Sequence, residues 1–323
     1  MASALLFPGQ GSQEPGMGRD AAEHDTRIMS LWKKAERLSG LDLRAIYWEG
    51  TESDMAATAN LQPGLTVTNL AYWMLLCEKL HPAAVAGHSL GEYSALAAAG
   101  VLPEDAVLKL VTLRGRLMSQ ADAEGKGAMA AIVKLPLEKV RELVDATHRE
   151  SNEMLLVANY NTPGQFVASG TRTAIASLAD KVKAAKGRAI ALAVSGAFHS
   201  PMMAEAAAEL AAAIDALPKT AWSKAKFPVY CNAAPQPQTD PDIIKNLLKQ
   251  QMISPVYWID TISRQWDNGC RLFVECGPKG VLGKMVGAIL KDHAPAAAVH
   301  GEDSPAWSVA SIGNLQQALE FQE

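Results

Sequence analysis

Short continuous apolar runs and longer helix-length stretches alternate along the first third of the chain. Ala-Leu-Leu-Phe at residues 4–7 and Ala-Ala-Val-Ala at 83–86 are apolar runs closed by Pro8 and Gly87, the pattern of strands buried on both faces. Helices are predicted near residues 22–39, 64–80 and 103–120, the last opening on Pro103-Glu104-Asp105, residue types suited to a first turn. Another runs from Glu92 to Ala99, alanine-rich and stopped by Gly100. From residue 127 six elements follow: a strand at Ala128–Leu135, a helix at Leu137–Thr147, strands at Met154–Tyr160 and Gln165–Ser169, a helix at Thr173–Ala185 and a strand at Arg188–Val194. That order is the ferredoxin-like βαββαβ pattern. The turn-rich flanks Glu124-Gly125-Lys126-Gly127 and Ser195-Gly196 suit a small lobe, 127–195, inserted into a larger one formed by 1–126 and 196–323. A helix starts at Ser200-Pro201 and runs to about Leu217, and a strand at Arg271–Cys276 leads through Gly277-Pro278 into another helix. The tail beyond Asp292 has no clear period.

Composition narrows the class. With 323 residues, 49% of them hydrophobic, the chain can bury a substantial core. A net charge of −4 without an extended basic or acidic tract gives no footing for nucleic acid or a membrane surface. Cys77, Cys231, Cys270 and Cys276 are widely spaced, with neither zinc-ligand spacing nor a disulfide framework, so reduced thiols in a cytosol are expected. No basic n-region precedes the first apolar run and no run has membrane-spanning length, so the expected location is the cytoplasm.

Gly87-His88-Ser89-Leu90-Gly91 has the form of a nucleophile elbow between a strand and a helix, with Ser89 exposed on a sharp turn. The turn-rich Pro8-Gly9-Gln10-Gly11-Ser12-Gln13 lacks the features of a dinucleotide or phosphate loop, so nucleotide binding is disfavoured. Gln10 could lend a backbone N–H to an oxyanion hole, with Leu90 as the other donor; taken alone, the loop suggests only a turn. The histidines are His24, His81, His88, His148, His199, His293 and His300. His199, in Gly-Ala-Phe-His-Ser-Pro ahead of a helix start, is the choice for the base, against the alternative of a capping or core histidine. His88, next to the serine, is expected to point away from the catalytic face. At ~100° per residue, Val107, Leu110, Val111, Leu117 and Met118 fall within about 60° of Arg114, while Arg116 lies opposite. A guanidinium in an apolar stripe needs an anion, either an internal carboxylate or that of a substrate. Gln251 is uninformative by itself.

Five ordered motifs spread over nearly the whole chain resemble the malonyl-CoA:acyl-carrier-protein transacylase family: Phe7-Pro8-Gly9-Gln10-Gly11-Ser12-Gln13, Gly87-His88-Ser89-Leu90-Gly91-Glu92, Leu113-Arg114-Gly115, Gly196-Ala197-Phe198-His199-Ser200 and Glu275-Cys276-Gly277-Pro278. The resemblance implies an α/β fold, an α/β-hydrolase-like large subdomain with an inserted ferredoxin-like one, and an active site in the cleft between them. It implies Ser89 as the acylated nucleophile and His199 as its base, held by a backbone carbonyl in place of an aspartate, with Gln251 matching the residue there. It further implies Arg114 as the binder of the malonyl carboxylate, Gln10 and Leu90 as the oxyanion pair, Asn159 and Asn161 on the thioester side, and Phe198 as a mark of malonyl selectivity.

The implied activity is ping-pong transfer of malonyl from malonyl-CoA to an acyl carrier protein, by a monomer, with no metal or redox cofactor. The alternatives are an editing thioesterase on the same scaffold, which would gain nothing from a buried cation, and a non-catalytic carrier-binding scaffold. An acidic carrier needs a local basic surface; Lys181, Lys183, Lys186 and Arg188 are one candidate, a solvated helix face being the plainer reading.

Overall fold

The computed structural model describes residues 1–122, 124–295 and 306–323. It is an α/β protein with two sheets. The chain enters through β1 (Ala2–Phe7) and continues into α1 (Arg19–His24) and α2 (Thr26–Ser39). One helix was expected over 22–39; two form, because Asp25 adopts an extended conformation and its carboxylate accepts the Arg27 N–H, capping a new start. After α3 (Glu52–Ala56), α4 (Thr58–Leu76) begins six residues before the expected start at 64 and carries Pro63 inside. Burial along most of that helix overrides the local penalty of the proline, and a Cβ at Gly64 would stand 2.1 Å from the Tyr47 ring. Next come β2 (Ala84–Gly87), α5 (Gly91–Ala98) and α6 (Glu104–Gln120), the predicted helix of Arg114.

The segment that follows forms β3 (Gly127–Val133), α7 (Leu137–Ser151), β4 (Leu155–Thr162), β5 (Gln165–Thr171), α8 (Arg172–Ala184) and β6 (Arg188–Ala191). Its four strands pair antiparallel in the order β4-β5-β3-β6. Val140 and Val144 of α7 and Ile175, Leu178 and Val182 of α8 cover one face, packed on Ile132, Phe166 and Ala168. A short 3₁₀ turn (Pro201–Met203) and α9 (Ala204–Ala216) follow, then β7 (Val229–Cys231), β8 (Ala234–Gln238), α10 (Pro241–Gln250), α11 (Trp258–Asp267), β9 (Cys270–Cys276) and α12 (Val281–His293). The locally ambiguous tail supplies β10 (Ser308–Ile312) and a short helix (Leu315–Glu320); His300 lies outside the described residues.

The six-stranded sheet has the order β10-β9-β1-β2-β7-β8, parallel throughout except for β8. Helices on both faces bury its central strands, which is why β1 and β2 read as unbroken apolar runs. The smaller sheet is tied to the larger lobe through an isolated bridge: Val256 N donates to Ala158 O at 2.8 Å and receives Tyr160 N at its own carbonyl at 3.0 Å. This pairing brings β4 alongside the segment just before α11 and sets one side of a cleft at the carboxyl ends of β1 and β2.

Candidate active site

The elbow forms where β2 stops and α5 begins. A Cβ on Gly87 would lie 1.9 Å from the Gly91 carbonyl carbon, and one on Gly91 would lie 2.0 Å from Phe7 O, so both glycines are required by close backbone approach. Ser89 between them has φ 50°, a left-handed conformation costing a non-glycine residue on the order of 1–3 kcal/mol unless its surroundings enforce it. They do: Ser89 N donates to Asn232 Oδ1 at 2.6 Å, Asn232 Nδ2 donates to Gly87 O at 2.6 Å, and Gln251 Nε2 donates to Ser89 O at 2.9 Å.

His199 also has a left-handed backbone, at φ 56°, and its Nε2 lies 2.8 Å from Ser89 Oγ. Its Nδ1 faces two carbonyl oxygens, of Gln251 and Ser254, each at 3.1 Å. Carbonyls only accept, so Nδ1 carries the proton and Nε2 presents a lone pair to the serine hydroxyl. Among the described residues no carboxylate orients this ring; main-chain dipoles do. Burial, reinforced by the positive charge of Arg114, pushes the imidazole down to about 3.

Arg114 is fully buried in α6 among Val107, Leu110, Val111, Leu117 and Met118, as its helical phase predicts, while Arg116 is exposed. Its Nη1 donates to Gln62 Oε1 at 2.6 Å, and its Nη2 to Gln251 Oε1 at 3.1 Å and to Ser89 Oγ at 3.2 Å. Every one of these partners is a neutral oxygen, and Nε has no partner among the described residues. Among the described residues no carboxylate lies within ion-pair distance of the guanidinium. Burial lowers its affinity for the proton, with the Tyr93 ring 5.6 Å away and Glu92 acting in the opposite sense. The internal ion pair that the sequence left open is therefore not formed.

In front of Ser89 lies a cavity of about 230 Å³ whose lining includes Gln10, His88, Ser89, Asn159, Asn161, Phe198 and His199. Gly9 packs so closely on the elbow that a Cβ there would be 2.3 Å from His88 O, which sets the Gln10 loop against it. The backbone N–H groups of Gln10 and Leu90 donate to no group among the described residues. His88 departs from expectation. It lines the same cavity, its Nε2 sits 2.8 Å from Asn161 Oδ1 and its ring meets Trp258 edge-on, because β4 approaches the elbow closely enough to give it a partner. Burial lowers its basicity too.

Asn232, Ser254 and Gln62 complete the site and had no signal in the sequence beyond a polar residue at a strand end or on a buried helix face. In the basic cluster, Lys183, Lys186 and Arg188 are exposed, whereas Lys181 is paired with Glu150 at 2.6 Å. No group of three or more potential metal ligands occurs among the described residues, and none of their helices is long and apolar enough to cross a membrane.

A family model described as "Acyl transferase domain" matches residues 4–319. The malonyl CoA-acyl carrier protein transacylase of Bacillus subtilis (strain 168) is 38% identical over 286 residues, covering 88% of this chain and 89% of that protein. Its counterpart in Staphylococcus aureus (strain MW2) is 34% identical over 307 residues, covering 95% and 98%. Among solved structures, a malonyl-transacylase in complex with its type II PKS acyl-carrier protein superimposes with a TM-score of 0.89 at 31% identity, covering 99% of this chain and 98% of that one.

Proposed function

The chain belongs to the acyl transferase family and, within it, to the malonyl CoA-acyl carrier protein transacylases, and from that premise we propose that it moves a malonyl group from malonyl-CoA to the phosphopantetheine thiol of an acyl carrier protein through an acyl-serine intermediate. The observation that carries the reading is Arg114, a buried guanidinium 3.2 Å from Ser89 Oγ with no carboxylate of its own. A ligand carboxylate supplies the missing anion, and the malonyl thioester then lies within reach of the serine.

In the first half-reaction Ser89 Oγ attacks the thioester carbonyl while its proton passes to His199 Nε2. The carbonyls of Gln251 and Ser254 stabilise the imidazolium through Nδ1–H. The unpaired N–H groups of Gln10 and Leu90 receive the oxyanion. The C–S bond breaks, and CoA leaves as a thiol with the proton from His199. In the second half the carrier thiol gives its proton to His199 and attacks the malonyl ester, and Ser89 leaves as its oxygen takes that proton back from His199 Nε2. Asn159, Asn161 and Phe198 line the path of the thioester arm. No cofactor enters these steps.

The same reading takes the chain as an α/β-hydrolase-like subdomain (1–126 and 196–323) carrying a ferredoxin-like insert (127–195), acting as a cytoplasmic monomer. The strand order of the smaller sheet and its two covering helices support that division. The decisive experiment is intact-mass analysis after mixing with malonyl-CoA. One malonyl group is expected on Ser89 and none on Ser89→Ala; an equal adduct on both would overturn the assignment.

A further inference from the structure

Glu92, the last residue of the elbow motif, is fully buried in the first turn of α5, a position the mechanism leaves without a role. Its Oε2 accepts two hydrogen bonds, from Asn232 N at 2.9 Å and from Gln251 Nε2 at 3.0 Å, while Oε1 has no hydrogen-bond partner among the described residues. Both donors reach the elbow. Asn232 occupies the Ser89 N–H and the Gly87 carbonyl, and Gln251 occupies the Ser89 carbonyl. Gln251 goes further: its Oε1 receives Arg114 and its main-chain oxygen receives His199. One carboxylate oxygen is thus the common point from which the nucleophile, the base and the cation are held.

A carboxyl group buried without a cationic partner is unfavourable, so burial alone gives no reason for an acid here. We propose that Glu92 is a positioning residue for acyl transfer, locking Asn232 and Gln251 through a single oxygen and, through them, the left-handed backbone of Ser89, the His199 ring and the Arg114 guanidinium. The requirement is for an acceptor at one point in space, not for a charge. Burial raises the carboxyl group above the usual carboxylate range, and a proton on the unpaired Oε1 would leave Oε2 free to accept.

The inference rests on Ser89 being the acylated group, and the two can fail separately: absence of a Ser89 adduct in the unaltered protein sinks the acyl-serine reading, whatever residue 92 does. The test compares single-turnover acylation by malonyl-CoA in Glu92→Asp and Glu92→Gln, with thermal melting as a check of folding. Aspartate keeps the carboxyl group but draws the oxygen back from both donors; glutamine gives up the ionisable group and keeps an oxygen in place. Since misplacing a reacting group by about 1 Å can cost on the order of 10²-fold, Glu92→Asp is expected to acylate roughly 10²-fold more slowly than the unaltered protein and Glu92→Gln at least about tenfold faster than Glu92→Asp. Combining Glu92→Asp with Gln251→Ala should slow acylation by clearly less than the product of the two separate losses, because Gln251 carries one of the two connections that Glu92 makes. Aspartate equal to or faster than glutamine, or losses that multiply in the double variant, would overturn the proposal.

Discussion

Behind Ser89 the protein is polar and almost fully hydrogen-bonded: Gln62, Glu92, Asn232 and Gln251 tie the elbow, His199 and Arg114 into one network. In front of it the cavity has a few polar groups, among them Asn159 and Asn161, and an apolar wall of Met118, Met129, Leu192, Val194, Phe198 and Met285, side chains with little to offer but shape. The rear wall holds strained backbones and a buried cation, arrangements that persist only when several directional contacts over-determine them. On the proposed reading the front wall would face a flexible substrate arm; three of those six residues are methionines, whose side chains adapt to irregular surfaces. Rate and acyl selectivity should therefore be sensitive to single atoms behind the serine and tolerant of change in front of it.

The largest departure should come from Arg114→Ala. Truncating one partner of a buried charge pair costs about 3–5 kcal/mol, so kcat/KM for malonyl-CoA should fall by roughly 10² to 10³ or more. Acetyl-CoA presents no carboxylate, and its rate should change little. The malonyl-to-acetyl ratio in a folded variant measures this; an unaltered ratio would return Arg114 to a purely structural role.

A smaller but sharper signature is the pH profile. The folded value of His199, about 3, lies below the ordinary 6.5, so lowering the pH through 6.5 does not protonate the base. Single-turnover acylation should change less than about twofold between pH 8 and 5.5, whereas an unperturbed histidine would lose most of its neutral form over that range. An acid limb centred near 6.5 would mean that the ring titrates as if exposed.

The smallest effect belongs to the front wall. Met129→Ala removes part of one apolar contact, worth about 1 kcal/mol, so kcat/KM for malonyl-CoA should fall only about fivefold with the malonyl-to-acetyl ratio unchanged. A collapse comparable to that of Arg114→Ala would erase the distinction between the walls.

Where one residue type alone satisfies a local constraint, the sequence could be read directly. Gly87 and Gly91 announce the elbow because any Cβ there would collide with backbone. Arg114 announces itself because an arginine in phase with five apolar residues needs an anion, internal or from a substrate. The alternation of elements from 127 to 194 is visible because strand and helix periods differ. Motif resemblance marked Gln10, Leu90 and Gln251, whose local sequence alone was silent.

What the chain determined by itself was thus the strand and helix vocabulary, the elbow and the buried cation, each marked by residue types at short spacings. Only the tertiary structure decided which oxygen faces which nitrogen. Asn232 lies 143 residues from Ser89 and Gln251 lies 162 away, and their bonds exist because β7 and the end of α10 are brought to the carboxyl edge of β2. His88 faces Asn161 for the same reason, through the pairing of β4 with Val256. The early start of α4 is tertiary too, since the packing of a whole helix face outweighs propensities of a fraction of a kcal/mol per residue, whereas the break at Asp25 is a local cap that the helical period did not reveal.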